Sequence, residues 1–231
     1  MSKKTILSLA AVFIIGCALM LSASIAKKYR TKIEWDGNQY NIENVNPVDA
    51  TFARPYNRLF DKAGDAFVVL LLGGAGVIII LSFLTSKDKK TELKPAILDC
   101  ITFGSCFFYS NGAYRLLKTA AGRIRPYMYF ANPSAKGIAE GDFYRSWPSG
   151  HSANVFIAFA FLLVWYGARK ADSKTKKPVL TVACVSCFVT MVLRMLSGNH
   201  FLTDVLSGAV LGFGISYGIA VLCNYIVKKD K

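Results

Sequence analysis

Residues 66–84 read AFVVLLLGGAGVIIILSFL, nineteen consecutive residues without a charge. Wound as an α-helix at about 1.5 Å per residue, the run is about 28 Å long, close to the hydrocarbon thickness of a bilayer. Hydrophobic residues make up 53% of the 231-residue chain and charged residues 18%. Those averages suit many soluble proteins. Their distribution does not, because the charges lie between long apolar runs. Five more runs follow the pattern, over residues 5–26, 95–117, 153–167, 179–193 and 205–227. The stretch 95–117 is less apolar than the others, and 153–167 is short, with His151 and Ser152 available to extend it. The expected fold is all-α, an integral membrane bundle of six transmembrane helices, with residues 1–231 as a single domain.

The first run admits a second reading. Residues 24–26 (SIA) loosely resemble a signal-peptide cleavage site, and residues 14–17 (IIGC) a lipoprotein box. The run continues for nine residues past Cys17, however, and its full length suits an uncleaved first helix. Gly73, Gly74 and Gly76 in the second run would allow close helix contact. Gly208/Gly212 and Gly214/Gly218 in the last have GxxxG spacing, which marks packing within one bundle or a dimer face; the oligomeric state does not follow. The six cysteines all fall in apolar runs. The Cys184/Cys187 pair has CxxC spacing but no second pair or histidine cluster beside it, so small side chains packed between helices explain it better than a metal or redox site.

The formal net charge is +14, which in a soluble protein would point to nucleic acid. Here no nucleic-acid partner is expected, because the cations flank apolar runs, where they meet anionic lipid headgroups and set topology. Six helices put both termini on one side. Lys3 and Lys4, the segment with Lys87, Lys89, Lys90 and Lys94, the segment from Arg169 to Lys177, and Lys228, Lys229 and Lys231 should then be cytoplasmic. The loop 27–65 on the other side holds seven Lys or Arg, spread over a long stretch that also carries six acidic residues. Within it, residues 53–65 (ARPYNRLFDKAGD) read as a helix lying on the outer surface or as a polar loop leading into the second helix.

The chain has two histidines, His151 and His200, both at helix ends on the same expected face. His200 and Asp204 are spaced i, i+4, on one face of a helix, where a carboxylate can fix the imidazole tautomer. An Asp capping the helix start, with an incidental His, explains that pair equally well. In Pro148-Ser149-Gly150-His151, Gly150 permits close backbone approach. Ser149 and the N–H groups opening the fourth helix can cradle an anion, with His151 at the edge as a proton donor. Lys118, Arg125 and Arg194 lie at helix ends on that same face. Each alone can be explained by a side chain reaching for the interface. Together, one Lys and two Arg are what a phosphoryl group with charge on three oxygens requires.

Taken in order, these elements resemble the type 2 phosphatidic acid phosphatase (PAP2) superfamily. Its K-x6-RP pattern corresponds to Lys118 and Arg125-Pro126, its PSGH to residues 148–151, and its SR-x5-H-x3-D to Arg194, His200 and Asp204. One position departs from it: Leu193 stands where the pattern has Ser, which removes one phosphate hydrogen bond. The resemblance implies a bacterial membrane lipid phosphatase acting through a phosphohistidine. His200 would be the nucleophile, oriented by Asp204, and His151 the proton donor. Lys118, Arg125, Arg194, Ser149 and Gly150 would hold the phosphate, with Arg123 a weaker candidate. No metal or cofactor is implied, since the positive side chains take the place of cations. The expected partners are a lipid phosphate substrate and membrane lipids, with the site on the extracytoplasmic face of the plasma membrane. Phosphatidic acid, phosphatidylglycerophosphate, undecaprenyl diphosphate and lipid A phosphates all present the required group. Vanadium-dependent haloperoxidases resemble the same anion pocket, but they are soluble. A lipid or phosphate binding protein would need neither a proton donor nor an oriented nucleophile.

Overall fold

The computed structural model describes residues 2–31, 33–169 and 173–230. Lys32, Lys170 and Lys231, counted in the charge patterns above, lie outside the described residues. The helices are α1 (Lys3–Tyr29), α2 (Pro47–Phe52), α3 (Arg58–Thr85), α4 (Lys89–Ala121), α5 (Ala135–Ala139), α6 (Gly150–Arg169), α7 (Ser173–Leu196) and α8 (Leu202–Lys228).

Each apolar run of the sequence lies inside one long helix. The helices outrun the runs, because polar turns outside the bilayer are satisfied by water while the backbone continues. The segment 53–65 is divided accordingly. Residues 53–57 are extended, and 58–65 form the first turns of α3, whose start is capped by Asn57 Oδ1 accepting the Leu59 and Phe60 N–H groups. No separate surface helix forms there.

Five helices, α1, α3, α6, α7 and α8, are both long and apolar enough to cross a membrane. At 33 residues α4 is long enough, but it does not reach the same apolarity. Several polar residues in its second half face protein. Ser105, Ser110 and Asn111 are buried; Ser110 Oγ pairs with Ser216 Oγ at 2.9 Å, and Asn111 Nδ2 donates to Asn154 Oδ1 at 2.9 Å.

The core centres on α6, which packs against α3, α4, α7 and α8. Its Val155, Ile157, Ala158 and Phe161 join Leu71, Ile79, Cys106 and Cys187 in one buried cluster. Large apolar side chains on the outer faces stay bare, including Leu7, Val69, Phe188 and Val210, the last 72% exposed. A belt of that extent is stable against lipid and not against water.

Glycines allow close helix contact at two seams in particular. Gly16, Gly104 and Gly112 let α1 and α4 lie against each other, with Leu19 and Met20 beside Gly112 and Phe13 beside Gly104. The two helices therefore run in the same direction. Gly208 and Gly212 of α8 face the backbone of Ser149 and Ala153, so this GxxxG pair packs inside the bundle. At Gly73, Gly74 and Gly76 a side chain would meet nothing within 4 Å, so no contact there needs glycine, contrary to the sequence expectation, and the same holds at Gly214 and Gly218. The cysteines are unpaired: Cys106 and Cys187 are buried, and their thiols approach the carbonyls of Ser216 and Val155.

The bundle has two distinct ends. At one, the Ser2 N–H donates to Asp230, while Arg169 and Trp165 of α6 donate to Asp99 of α4. At the other gather the C-terminal turns of α1, α4 and α7, the first turns of α3, α6 and α8, and the loop 122–149.

Candidate active site

His151 opens α6 and His200 precedes α8, and both stand at this second end. Backbone bonds tie the loops that carry them. The Ser149 N–H donates to Asp204 O at 2.9 Å, the Tyr127 N–H to Gly198 O at 2.9 Å, and the Arg125 N–H to Phe143 O at 2.7 Å. Gly198 has φ +70°, and a side chain there would run into the carbonyls of Arg54 and Pro55, so glycine is required at this turn.

Asp204 is fully buried and serves four partners. Its Oδ2 accepts from the Phe201 N–H at 2.8 Å, and also from Ser146 Oγ; its Oδ1 accepts from Arg123 Nη1 at 2.6 Å. The fourth is His200, whose Nδ1 faces Oδ2 at 3.7 Å and has no hydrogen-bond partner. Asp204 thus caps α8 and faces the imidazole at once, the two readings its spacing allowed. His200 is 1% exposed. Burial, then the charges of Lys118, Arg125 and Arg194, hold its imidazole well below the usual histidine range.

The three expected phosphate cations converge around His151. Arg125 donates through Nη1 to Asn199 Oδ1 at 2.7 Å and through Nε to Asp142 O at 2.8 Å. Arg194 is 2% exposed and donates to Asp61 Oδ1 at 2.7 Å, while its Nε has no partner. Lys118 is buried without a carboxylate partner among the described residues. Two cavities meet there. One, of about 360 Å³, is lined by Lys118, Arg125, Gly150 and His151 and reaches α1 through Ala23, Ser24 and Lys27. The other, of about 150 Å³, lies under the loops and is lined by Arg125, His151, Arg194 and Asn199. Arg125, Asp142 and His151 border both.

Not every expected residue lines a cavity. Ser149, His200 and Asp204 sit in the wall behind it, and Ser149 Oγ accepts from Ser152 within the first turn of α6. Gly150 packs on Tyr114, so close that a side chain would clash with the ring. Its N–H and that of His151 begin the helix and have no intrahelical acceptor, which leaves them for an anion.

Arg123, the weaker candidate, lines neither of the two cavities. It bridges Asp204 and Asp49, at 2.6 Å from each, and lies 4.4 Å over the Phe201 ring. Asp49, on α2, also accepts from Thr203 N and Oγ1 at 2.9 and 2.6 Å. Burial alone would raise the Asp49 carboxyl; the bonds from Thr203 and Arg123 outweigh it and hold it below the usual carboxylate range. Sequence reasoning missed Asp49, Asp61, Asp65, Asn199 and Arg145. Asp65 Oδ1 lies 2.8 Å from His151 Nε2, and Asp61 holds Arg194 and Asn199. The signal for the last two acids was available: they are spaced i, i+4 before an apolar run, with Gly64 between them opening the space that Arg194 fills.

The profile of the PAP2 superfamily matches residues 66–228. Among curated relatives, "Probable lipid phosphate phosphatase beta" from Arabidopsis thaliana is 29% identical over 74% of this chain and 86% of its own. "Phosphatidylglycerophosphatase B" from Bacillus subtilis (strain 168) is 37% identical over 42% of this chain and 45% of its own. A solved structure, a transmembrane PAP2-type phosphatidylglycerolphosphate phosphatase from Bacillus subtilis, superposes with a TM-score of 0.50 at 20% identity. That match covers 97% of this chain and 96% of the other, and it shows a shared fold. The profile spans most of the chain and all three motifs around the two histidines: the chain belongs to the PAP2 superfamily.

Proposed function

We propose that this chain is a membrane phosphatase that hydrolyses a phosphomonoester or diphosphate of a lipid through a phosphohistidine, without a metal. The observation that carries the reading is the meeting of His151, Lys118, Arg125 and Arg194 around cavities at one end of an apolar bundle, with His200 in the wall. The names of the relatives, a lipid phosphate phosphatase and a phosphatidylglycerophosphatase, point the same way.

Asp204, 3.7 Å from Nδ1, keeps the imidazole proton on that nitrogen and leaves Nε2 for phosphorus. Nε2 attacks, the bond from phosphorus to the leaving oxygen breaks, and His151 gives that oxygen its proton. Lys118, Arg125, the Nε of Arg194 and the N–H groups of Gly150 and His151 bind the equatorial oxygens, where charge accumulates. Ser149 shapes the turn that aims those N–H groups. Water then attacks the phosphohistidine, His151 takes its proton, and His200 and inorganic phosphate are released.

We read α4 as the sixth span, its polar residues answered inside the protein. Lys3, Lys4, Lys87, Lys89, Lys90, Lys94, Arg169, Lys174, Lys228 and Lys229 lie at the end away from the histidines, which favours cytoplasmic termini and an extracytoplasmic site.

The test is phosphate release by the purified protein in detergent with EDTA, from phosphatidic acid, phosphatidylglycerophosphate, undecaprenyl diphosphate and lipid A phosphates. Release that His200→Ala abolishes in a folded protein is expected. Turnover retained by that variant would overturn the mechanism, and no release from any lipid would overturn the function.

A further inference from the structure

At the end of the bundle away from the histidines, α4, α6 and α8 border a cavity of about 300 Å³. Lys94, Arg169 and Lys228 line it, with the acids Asp99 and Asp230. Most of that charge is already answered. Asp99 accepts from Trp165 Nε1 at 2.7 Å and from Arg169 Nε at 2.8 Å, and Arg169 Nη1 donates to Glu92 Oε1 at 2.6 Å. Asp230 accepts from the Ser2 N–H. Lys94 and Lys228 have no carboxylate partner among the described residues, and the Asn224 amide has no hydrogen-bond partner among them. Asn224 and Lys228 are spaced i, i+4 on one face of α8, and Lys94 borders the same cavity from α4. Lysines that merely reach for water need no cavity beneath them, and these two stand over one.

A second cavity, of about 590 Å³, continues the first: Ala168, Asn224 and Lys228 border both. Beyond them its walls are uncharged, with Leu163, Val164, Tyr217 and Val221 along its length. Tyr217 and Val221 are exposed, so this groove lies on the outside of the bundle, in the apolar belt. From Lys228 back to Tyr217, α8 covers about 16 Å, half of a hydrocarbon core of about 30 Å. A polar pocket at the end of the bundle thus opens into an apolar groove one leaflet deep.

We propose that the two cavities together bind one anionic phospholipid from the leaflet opposite the candidate active site. Lys94 and Lys228 flank its phosphodiester, the Asn224 amide donates to a phosphate oxygen, and one acyl chain lies along α8 as far as Tyr217. Basic pockets between helices at a membrane surface suit anionic headgroups. A zwitterionic lipid fits less well, because its ammonium needs a carboxylate and both acids of the pocket already have donors. A free anion leaves the apolar groove unused. The bound lipid ties α4 to α8 at the far end of the bundle. This site rests on the membrane placement of the helices and is independent of the phosphatase reading.

The experiment is native mass spectrometry of the full chain, delipidated in detergent and titrated with phosphatidylglycerol or phosphatidylcholine of the same acyl chains. The wild type should retain one lipid and hold phosphatidylglycerol at least about tenfold more tightly, the discrimination expected of charge-assisted bonds. Lys94→Gln combined with Lys228→Gln should bring the two lipids within about twofold of each other; both side chains are exposed, so the fold is kept. Val221→Trp fills the groove and spares the lysines, so it should weaken both lipids and preserve their ratio. Equal affinity of the wild type for the two lipids overturns the site. So does a preference that survives the double lysine substitution, which would put the phosphatidylglycerol elsewhere on the protein. Binding of glycerophosphoglycerol, the headgroup without chains, as tightly as phosphatidylglycerol overturns the lipid as occupant. Absence of phosphatase turnover would sink the reading of the other end and leave this one standing.

Discussion

Asp65 Oδ1 lies 2.8 Å from Nε2 of His151, so the proposed proton donor is held by a carboxylate from another helix. A carboxylate there steadies the imidazole and stabilises its protonated form. It should therefore matter in proportion to how badly the leaving group needs a proton. A lipid alcohol needs one; p-nitrophenolate does not. Asp65→Asn is expected to lower kcat on a lipid phosphate about tenfold while changing kcat on p-nitrophenyl phosphate less than about twofold. Equal losses on the two substrates would show that Asp65 shapes the site without serving the proton transfer.

As the proposed nucleophile, the buried His200 can attack only as the neutral imidazole. Burial and the charges of Lys118, Arg125 and Arg194 hold it well below the usual histidine range, so it is neutral at pH 7 and stays so well into acid. The acid limb of kcat/KM, which reports the free enzyme, should lie below the ordinary histidine value of about 6.5. The substrate's second ionisation, near pH 6, overlaps it, so the decisive comparison is between two enzymes on one substrate. Lys118→Met removes a nearby positive charge and should move the limb upward in pH. An unmoved limb would mean that His200 does not set it. The same depression has a sign for stability: the unfolded chain binds this proton more readily, so the contribution is lost as pH falls below about 6.5.

The site residues separate by how far their partners lie along the chain. Lys118, Arg125, His151, His200 and Asp204 could be picked out as candidates because each motif sits within a few residues at one helix end. The acids that hold them were not, since Asp65 reaches His151 across 86 positions and Asp61 reaches Arg194 across 133. Hydropathy also ended the second run at Ala66, where charges begin, although the α3 backbone continues to Arg58. In α4, length and spacing were readable. That its polar groups would be answered by Ser216 and Asn154 depends on packing that no local pattern encodes.

Arg123 links Asp49 to Asp204, and so ties the loop before α3 to the residue behind the proposed nucleophile, His200. Asp49 is fully buried, while the Arg123 side chain is 26% exposed, so water can take up part of a lost bond. Asp49→Asn should destabilise the protein by about 2 kcal/mol, in the range for hydrogen bonds to charged groups. It should also lower kcat by loosening Asp204. Thermal unfolding in detergent checks the first and lipid phosphate turnover the second. An unchanged melting temperature would show that the first loop does not brace the site.

The last helix carries two GxxxG pairs that the structure treats oppositely. A side chain at Gly208 or Gly212 would press into the carbonyls of Ser149 and Ala153, which are backbone and cannot rotate away, whereas Gly214 and Gly218 have open space around them. Gly208→Ala must push α8 off the first turn of α6. That also separates Ser149 N–H from Asp204 O, the bond joining the two histidine segments. Overpacking of this kind costs about 1–3 kcal/mol, so a lowered melting temperature is expected. Activity should fall further than stability, because the displaced bond lies between the groups proposed to meet at phosphorus. Gly214→Ala and Gly218→Ala should leave the monomer's stability within about 0.5 kcal/mol. If Gly208→Ala retained full turnover, the α6–α8 contact would not set the geometry of the histidines. If instead Gly214→Ala changed the size of the detergent-solubilised particle, that bare face would be where two copies meet.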